Sequence, residues 1–183
     1  MARVLVPLAQ GCEELEAVTV MDLLVRGGVE VIRAGLEPGP VLCGRGTTLL
    51  PDTTLEAVLH DDFDMIVLPG GLPGADHLDA DPRIHALLRR TAEAGRHVAA
   101  ICAAPKVLLH AGLLTARHAT AYPGTLDGQQ RDGLVVETAA VLRDGNIITS
   151  RGPGTAMDFA LELVEILQGS DQRAEVEAGL QRP

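Results

Sequence analysis

The strongest constraint on this chain is a repeated local pattern. Short runs of apolar residues each stop at a turn of small residues and give way to a helical pattern. The runs are Arg3 to Leu8, Val29 to Ala34, Asp64 to Leu68, His97 to Ile101 and Ile147 to Thr149. Each is too short for a helix and reads as a buried strand. Between them, Glu13 to Arg26 places Leu15, Val18, Met21, Leu23, Leu24 and Val25 on a mostly helical face, and Gly27-Gly28 ends it. A second helix opens with Asp81 as cap and Pro82 at its first position and runs to near Gly95. A third runs from near Pro105 to Gly112, and a strongly apolar one covers 155–168 before Gly169. Strands alternating with helices predict an α/β fold with a mostly parallel sheet covered on both faces.

The remaining segments fit around this frame. Residues 36–53, with three prolines and three glycines, read as short edge strands joined by turns. Residues 118–121 and 134–142 read as strands, and Arg143-Asp144-Gly145-Asn146 as a hairpin turn. The tail from Ser170 is polar and predicts a short helix. With 183 residues, no repeat and no linker, residues 1–183 form a single domain.

Composition narrows the function. Aromatic residues are only 2% with no Trp, so the core must be aliphatic, and stacking platforms for single-stranded nucleic acid are lacking. The formal charge of -10 repels phosphate backbones, which argues against nucleic-acid partners. The first apolar run is interrupted by Pro7 and too short for a secretion signal, and no run approaches the ~18 apolar residues of a membrane span. Cys12, Cys43 and Cys102 are odd in number and widely spaced, so neither a disulfide framework nor a zinc knuckle is expected. Free thiols and no membrane segment predict a cytoplasmic protein.

In a parallel α/β sheet, function lies at the carboxyl ends of the strands. Four segments should therefore meet there: Gly11 to Glu16, Pro69-Gly70-Gly71, Cys102 to Pro105, and Ser150 to Thr155. Cys102 sits where a strand turns directly into a helix, a position that strains and exposes a nucleophile. Helix amides there would lower a thiol pKa. The bland alternative is a small buried core thiol. Cys12 is a weaker candidate, and Cys43 reads as structural or interfacial. Glu13, Glu14 and Glu16 suit a helix N-terminus with no catalytic purpose. A carboxyl group facing a thiolate would nonetheless be driven towards its protonated form and could shuttle a proton. Gly70-Gly71 and the Ala103 amide could form an oxyanion hole, or the glycines could simply serve a tight turn. Arg151 to Thr155 could open an anion-binding helix, although it matches no Walker loop. The six histidines show no metal-ligand spacing.

These rim segments, namely 9–16, Leu68-Pro69-Gly70-Gly71, 99–105 and 149–155, together resemble the superfamily of the parkinsonism-associated deglycase, PfpI and ThiJ, most of all its YajL-like branch. The resemblance spans essentially the whole chain. It implies a flavodoxin-like three-layer sandwich, usually homodimeric. It also implies a nucleophile at Cys102 with a protonated partner at Glu16, and backbone amides of Gly71 and Ala103 facing the substrate oxygen. Cys43 matches a peripheral cysteine near the dimer contact. Many relatives carry a histidine where Tyr122 stands, and Tyr is a poor base at neutral pH, so a Cys-His dyad and peptidase activity are not expected. His110 and His118 are the remaining local candidates for such a base. The resemblance implies a cofactor-independent glyoxalase or deglycase acting on small aldehydes or glycated protein, without metal. The alternative is a redox-sensing stress protein with chaperone activity that works through Cys102 oxidation.

Overall fold

The computed structural model describes residues 1–128 and 133–182. Six strands run parallel: β1 (Arg3–Leu8), β2 (Glu30–Gly35), β5 (Thr53–Thr54), β6 (Met65–Leu68), β7 (His97–Ile101) and β11 (Ile147–Ser150). One edge strand, β10 (Val141–Asp144), pairs antiparallel to β11. The spatial order is β10-β11-β7-β6-β1-β2-β5. All six parallel strands thus deliver their carboxyl ends to one rim.

Alternation along the strands builds a core on each face. Val4, Val6 and Leu8 of β1, Met65 and Val67 of β6, and Ala99 and Ile101 of β7 point to one side. There they meet Val20, Leu24, Phe159, Leu163 and Val164, carried by helices α1 (Glu14–Arg26) and α5 (Ala156–Gln168). Leu5, Ile66, Leu68, Val98 and Ala100 point to the other side. They pack against Ile84, Leu87 and Leu88 of α3 (Pro82–Glu93) and Val107 and Leu108 of α4 (Pro105–His110). Asp81 caps α3 by accepting a hydrogen bond from the Arg83 amide, with Pro82 in the first turn. At the other end of the chain α6 (Ser170–Gly179) follows α5 across Gly169, whose φ of 92° breaks the helix.

Three local features differ from the sequence expectation. A helix α2 (Gly74–Ala80) precedes Asp81; it begins at a glycine behind a cis Leu72–Pro73 peptide, so turn residues mask its helical pattern. The expected strand region 134–142 is two strands, β9 (Val135–Glu137) and β10, separated at 138–140. β9 leaves the main sheet and pairs parallel with β8 (His118–Thr120). Among the described residues of 36–53, β3 (Val41–Leu42) and β4 (Thr48–Leu49) pair with each other outside the main sheet, and β5 joins the main sheet as its edge.

Candidate active site

Cys102 is the first residue beyond β7 and has a φ of 64°, the left-handed region that costs an ordinary residue about 1–2 kcal/mol. The surrounding backbone holds it there. Its amide donates to the Ser150 carbonyl at the end of β11 (3.0 Å), and its carbonyl accepts from the Tyr122 amide (2.8 Å). Two buried hydroxyls extend this clamp: Thr149 Oγ1 accepts from the Thr120 amide, and Ser150 Oγ donates to the Ala140 carbonyl. The residue is only 8% exposed, so the candidate thiol is more buried than a strand-end turn suggests.

Glu16 reaches the same point from the first turn of α1 and is fully buried, at 0% exposure. Its Oε2 accepts from the Gly70 amide at 2.8 Å. Its Oε1 has no hydrogen-bond partner among the described residues, and the Cys102 side chain faces the carboxyl across Gly70. Gly70 lies between the two groups; a Cβ there would sit 2.6 Å from Cys102 Cβ and 2.8 Å from Glu16 Oε2. Gly71, with a φ of 85°, is equally constrained, since a Cβ would lie 2.4 Å from the Glu13 nitrogen. The Glu13 amide in turn donates to the Gly70 carbonyl at 2.9 Å, which binds the α1 start to the β6 turn.

The electrostatics follow from burial. Burial pushes the Glu16 carboxyl up to about 7; the Gly70 and Cys102 hydrogen bonds pull it down and the Glu13 charge adds to the rise. The Cys102 thiol is pushed up to about 12, by burial first and then by the Glu16 charge and hydrogen bond. The amides of Gly71 and Ala103 pull it down. The structure therefore reverses the lowered thiol pKa expected from helix amides: burial outweighs the Gly71 and Ala103 amides, and the Glu16 charge adds to the rise. Glu16 controls the part of that rise that burial does not. Once protonated, it loses the charge that opposes a thiolate, and its O–H can donate to sulfur. With one proton on the pair, these values leave it on the thiol; a thiolate beside protonated Glu16 is the less populated arrangement, reached by moving that proton from sulfur to the carboxylate.

The model of the DJ-1/PfpI family matches residues 2–166. The chain belongs to the DJ-1/PfpI family. It is 44% identical to "Protein dj-1beta" of Drosophila melanogaster over 96% of this chain and 95% of that protein. It is 39% identical to the "Glutathione-independent glyoxalase DJR-1.2" of Caenorhabditis elegans over 93% and 90%. Among solved structures, Drosophila DJ-1beta superposes with a TM-score of 0.93 at 42% identity, covering 100% of this chain and 98% of that one. An oxidized Toxoplasma gondii DJ-1 superposes at 0.90 with 36% identity, covering 98% of each. The DJ-1-like, flavodoxin-type α/β sandwich matches the fold expected from the sequence.

The other candidates in this DJ-1/PfpI domain have partners of their own. The Tyr122 ring is 53% exposed and lies over Gly152, while its backbone amide serves Cys102. The Arg151 guanidinium donates to the Thr138 carbonyl and its amide to the Ala140 carbonyl. The Gly152 amide is taken by Thr155 Oγ1. His110 pairs with Asp79 (2.7 Å) and His118 with Glu137 (2.5 Å), so each ring is engaged away from the thiol. No group of three or more His, Cys, Asp or Glu among the described residues is arranged to hold a metal ion. Sequence reasoning missed the backbone clamp from Ser150 and Tyr122, because a carbonyl or amide contributed by a distant strand leaves no side-chain signature.

Proposed function

We propose that this protein is a cofactor-independent, cysteine-dependent glyoxalase. It acts on methylglyoxal or glyoxal, free or as early adducts on protein amines and thiols, the latter being a deglycase reaction. The observation that carries this reading is the fully buried Glu16 carboxyl, pushed up to about 7 and set beside Cys102 at Gly70. A general acid and base poised near neutral pH is what a proton transfer between adjacent carbons requires. The name of the C. elegans relative supports the same reaction class.

The steps balance without a cofactor. The Cys102 thiolate adds to the aldehyde carbon, and the oxyanion rests on the amides of Gly71 and Ala103. Protonated Glu16 gives its proton to that oxygen. As a carboxylate it then takes the hydrogen from the same carbon as a proton and returns it to the neighbouring carbon, while the hydroxyl proton passes to the oxygen of that neighbouring carbon, leaving a thioester. Water cleaves the thioester, which releases lactate and regenerates the thiol. Cys102 and Glu16 are the catalytic residues; Gly70 spaces them, and Tyr122 and Arg151 border the substrate.

A homodimer in the cytoplasm completes the proposal. Leu15, Val18 and Val25 stand exposed along one stripe of α1, and Val18 and Val25 share a surface hollow with Leu49 and Leu50 of the β4 region. Such an exposed apolar patch suits a second copy of the chain. All three cysteines are free, and no helix among the described residues is long and apolar enough to cross a membrane.

A second reading is redox sensing with chaperone activity, favoured by the oxidized state of the Toxoplasma structure. Protonated Glu16 could hydrogen-bond a Cys102 sulfinate as readily as a thiolate. Lactate formation from methylglyoxal, wild type against Cys102→Ser, separates the two. Turnover lost in the variant supports the enzyme. No turnover by folded, fully reduced wild type refutes it and leaves the sensor.

A further inference from the structure

Cys12 and Cys43 are 31 positions apart in sequence, yet their sulfurs lie 3.6 Å from each other, both buried and both free. The contact is fixed by the backbone rather than by chance rotamers. The Gly11 amide donates to the Leu42 carbonyl (2.8 Å) and the Gly44 amide to the Cys12 carbonyl (2.8 Å). Between them these bonds hold the loop after β1 against the turn after β3. The Glu14 carboxylate accepts from the amides of Arg45 and Thr47 and pins the same turn from α1.

We propose that Cys12 and Cys43 are a second redox site, separate from Cys102, which closes to an intramolecular disulfide when the protein meets a peroxide. The sulfurs need approach by only about 1.6 Å to reach the ~2.0 Å bond length, a movement that side-chain rotation and a small shift of the turn can supply.

The chemistry assigns the two thiols different parts. Cys43 sits in a turn flanked by exposed Leu42, Gly44, Arg45 and Gly46, whereas Cys12 is fully enclosed. Burial raises both thiols, with the Glu14 charge adding to each and Glu13 also acting on Cys43. The reaction is therefore slow at neutral pH and faster in base. Cys43 attacks the peroxide as thiolate and becomes a sulfenic acid, releasing water. Cys12 then attacks the Cys43 sulfur and displaces hydroxide, which leaves as water with the Cys12 proton. Two thiols and one hydrogen peroxide give one disulfide and two waters. The bond would tether the 43–47 turn to the loop on which Gly71 and Gly74 rest, where an added Cβ would lie 2.8 and 2.6 Å from Cys12 backbone atoms.

This inference does not depend on the glyoxalase reading. Reduced full-length protein is treated with excess hydrogen peroxide at pH 8 until Cys102 is fully oxidised. It is then quenched in acid, unfolded, alkylated and digested without reductant. A Cys12–Cys43 cross-linked peptide is expected in wild type and in Cys102→Ser. It should be absent in Cys43→Ser and convert to two alkylatable thiols with dithiothreitol. Full alkylation of both cysteines after Cys102 is consumed would overturn the proposal, as would Cys43 sulfinic acid beside a free Cys12. A cross-link that forms only when Cys102 is present would overturn its separateness.

Discussion

Glu16→Gln isolates the charge on the buried carboxyl. The folded group is raised from 4.5 to about 7, a difference of roughly 2.5 pH units, or about 3 kcal/mol at ~1.36 kcal/mol per unit. The native state holds this proton more tightly than the unfolded chain. Its contribution to stability is therefore complete below 4.5, falls as pH rises, and is lost above about 7. Glutamine cannot ionise, and its side-chain oxygen can still accept from the Gly70 amide. The variant should therefore exceed wild type by less than about 1 kcal/mol at pH 5 and by about 3 kcal/mol at pH 8. For a chain of this size the larger figure is roughly 6–12 °C in melting temperature. Thermal unfolding followed by circular dichroism at the two pH values, at equal ionic strength, reads the difference directly. A second readout follows from Cys102. Removing the charge and hydrogen bond that raise its thiol lowers it below the wild-type value of about 12. Alkylation at pH 8 should then be faster while lactate formation is lost. A stability gap equal at both pH values, or reversed, would show that Glu16 is not a protonated acid in the folded protein.

Three further outcomes follow from geometry. Gly70→Ala inserts a methyl 2.6 Å from Cys102 Cβ and 2.8 Å from Glu16 Oε2, so turnover should vanish with a stability loss of about 1–3 kcal/mol in denaturant melts; wild-type activity would contradict the packing. At residue 102, with its φ of 64°, Cys102→Gly should be more stable than Cys102→Ala by about 1 kcal/mol, and equal stabilities would mean the backbone is not strained. Val18→Glu combined with Leu50→Glu places charge on the exposed apolar hollow of α1 and β4. Sedimentation should then show a monomer where wild type shows a dimer, and an unchanged dimer would move the interface elsewhere.

Strand-helix alternation made the sheet legible, because period-2 and helical patterns are local properties of the sequence. Cys102 was legible for the same reason: a strand that ends directly in a helix announces its own rim position. Glu16 was not, since three acidic residues in one helix start are indistinguishable by spacing; only resemblance selected it. Its burial and its Gly70 contact arise from 54 residues away in sequence. The Cys12–Cys43 contact was hidden more deeply. It depends on the 41–49 hairpin folding back over the β1 loop through backbone hydrogen bonds that any residue type could make. Backbone-mediated neighbours carry no compositional trace. In this fold they decide both the setting of the thiol at the β7 turn and the meeting of the other two. The sign of the Cys102 shift belongs to the same class of information. Burial and the facing Glu16 carboxylate oppose a thiolate while the amides of Gly71 and Ala103 favour it, and only their three-dimensional balance shows that the thiol is raised rather than lowered.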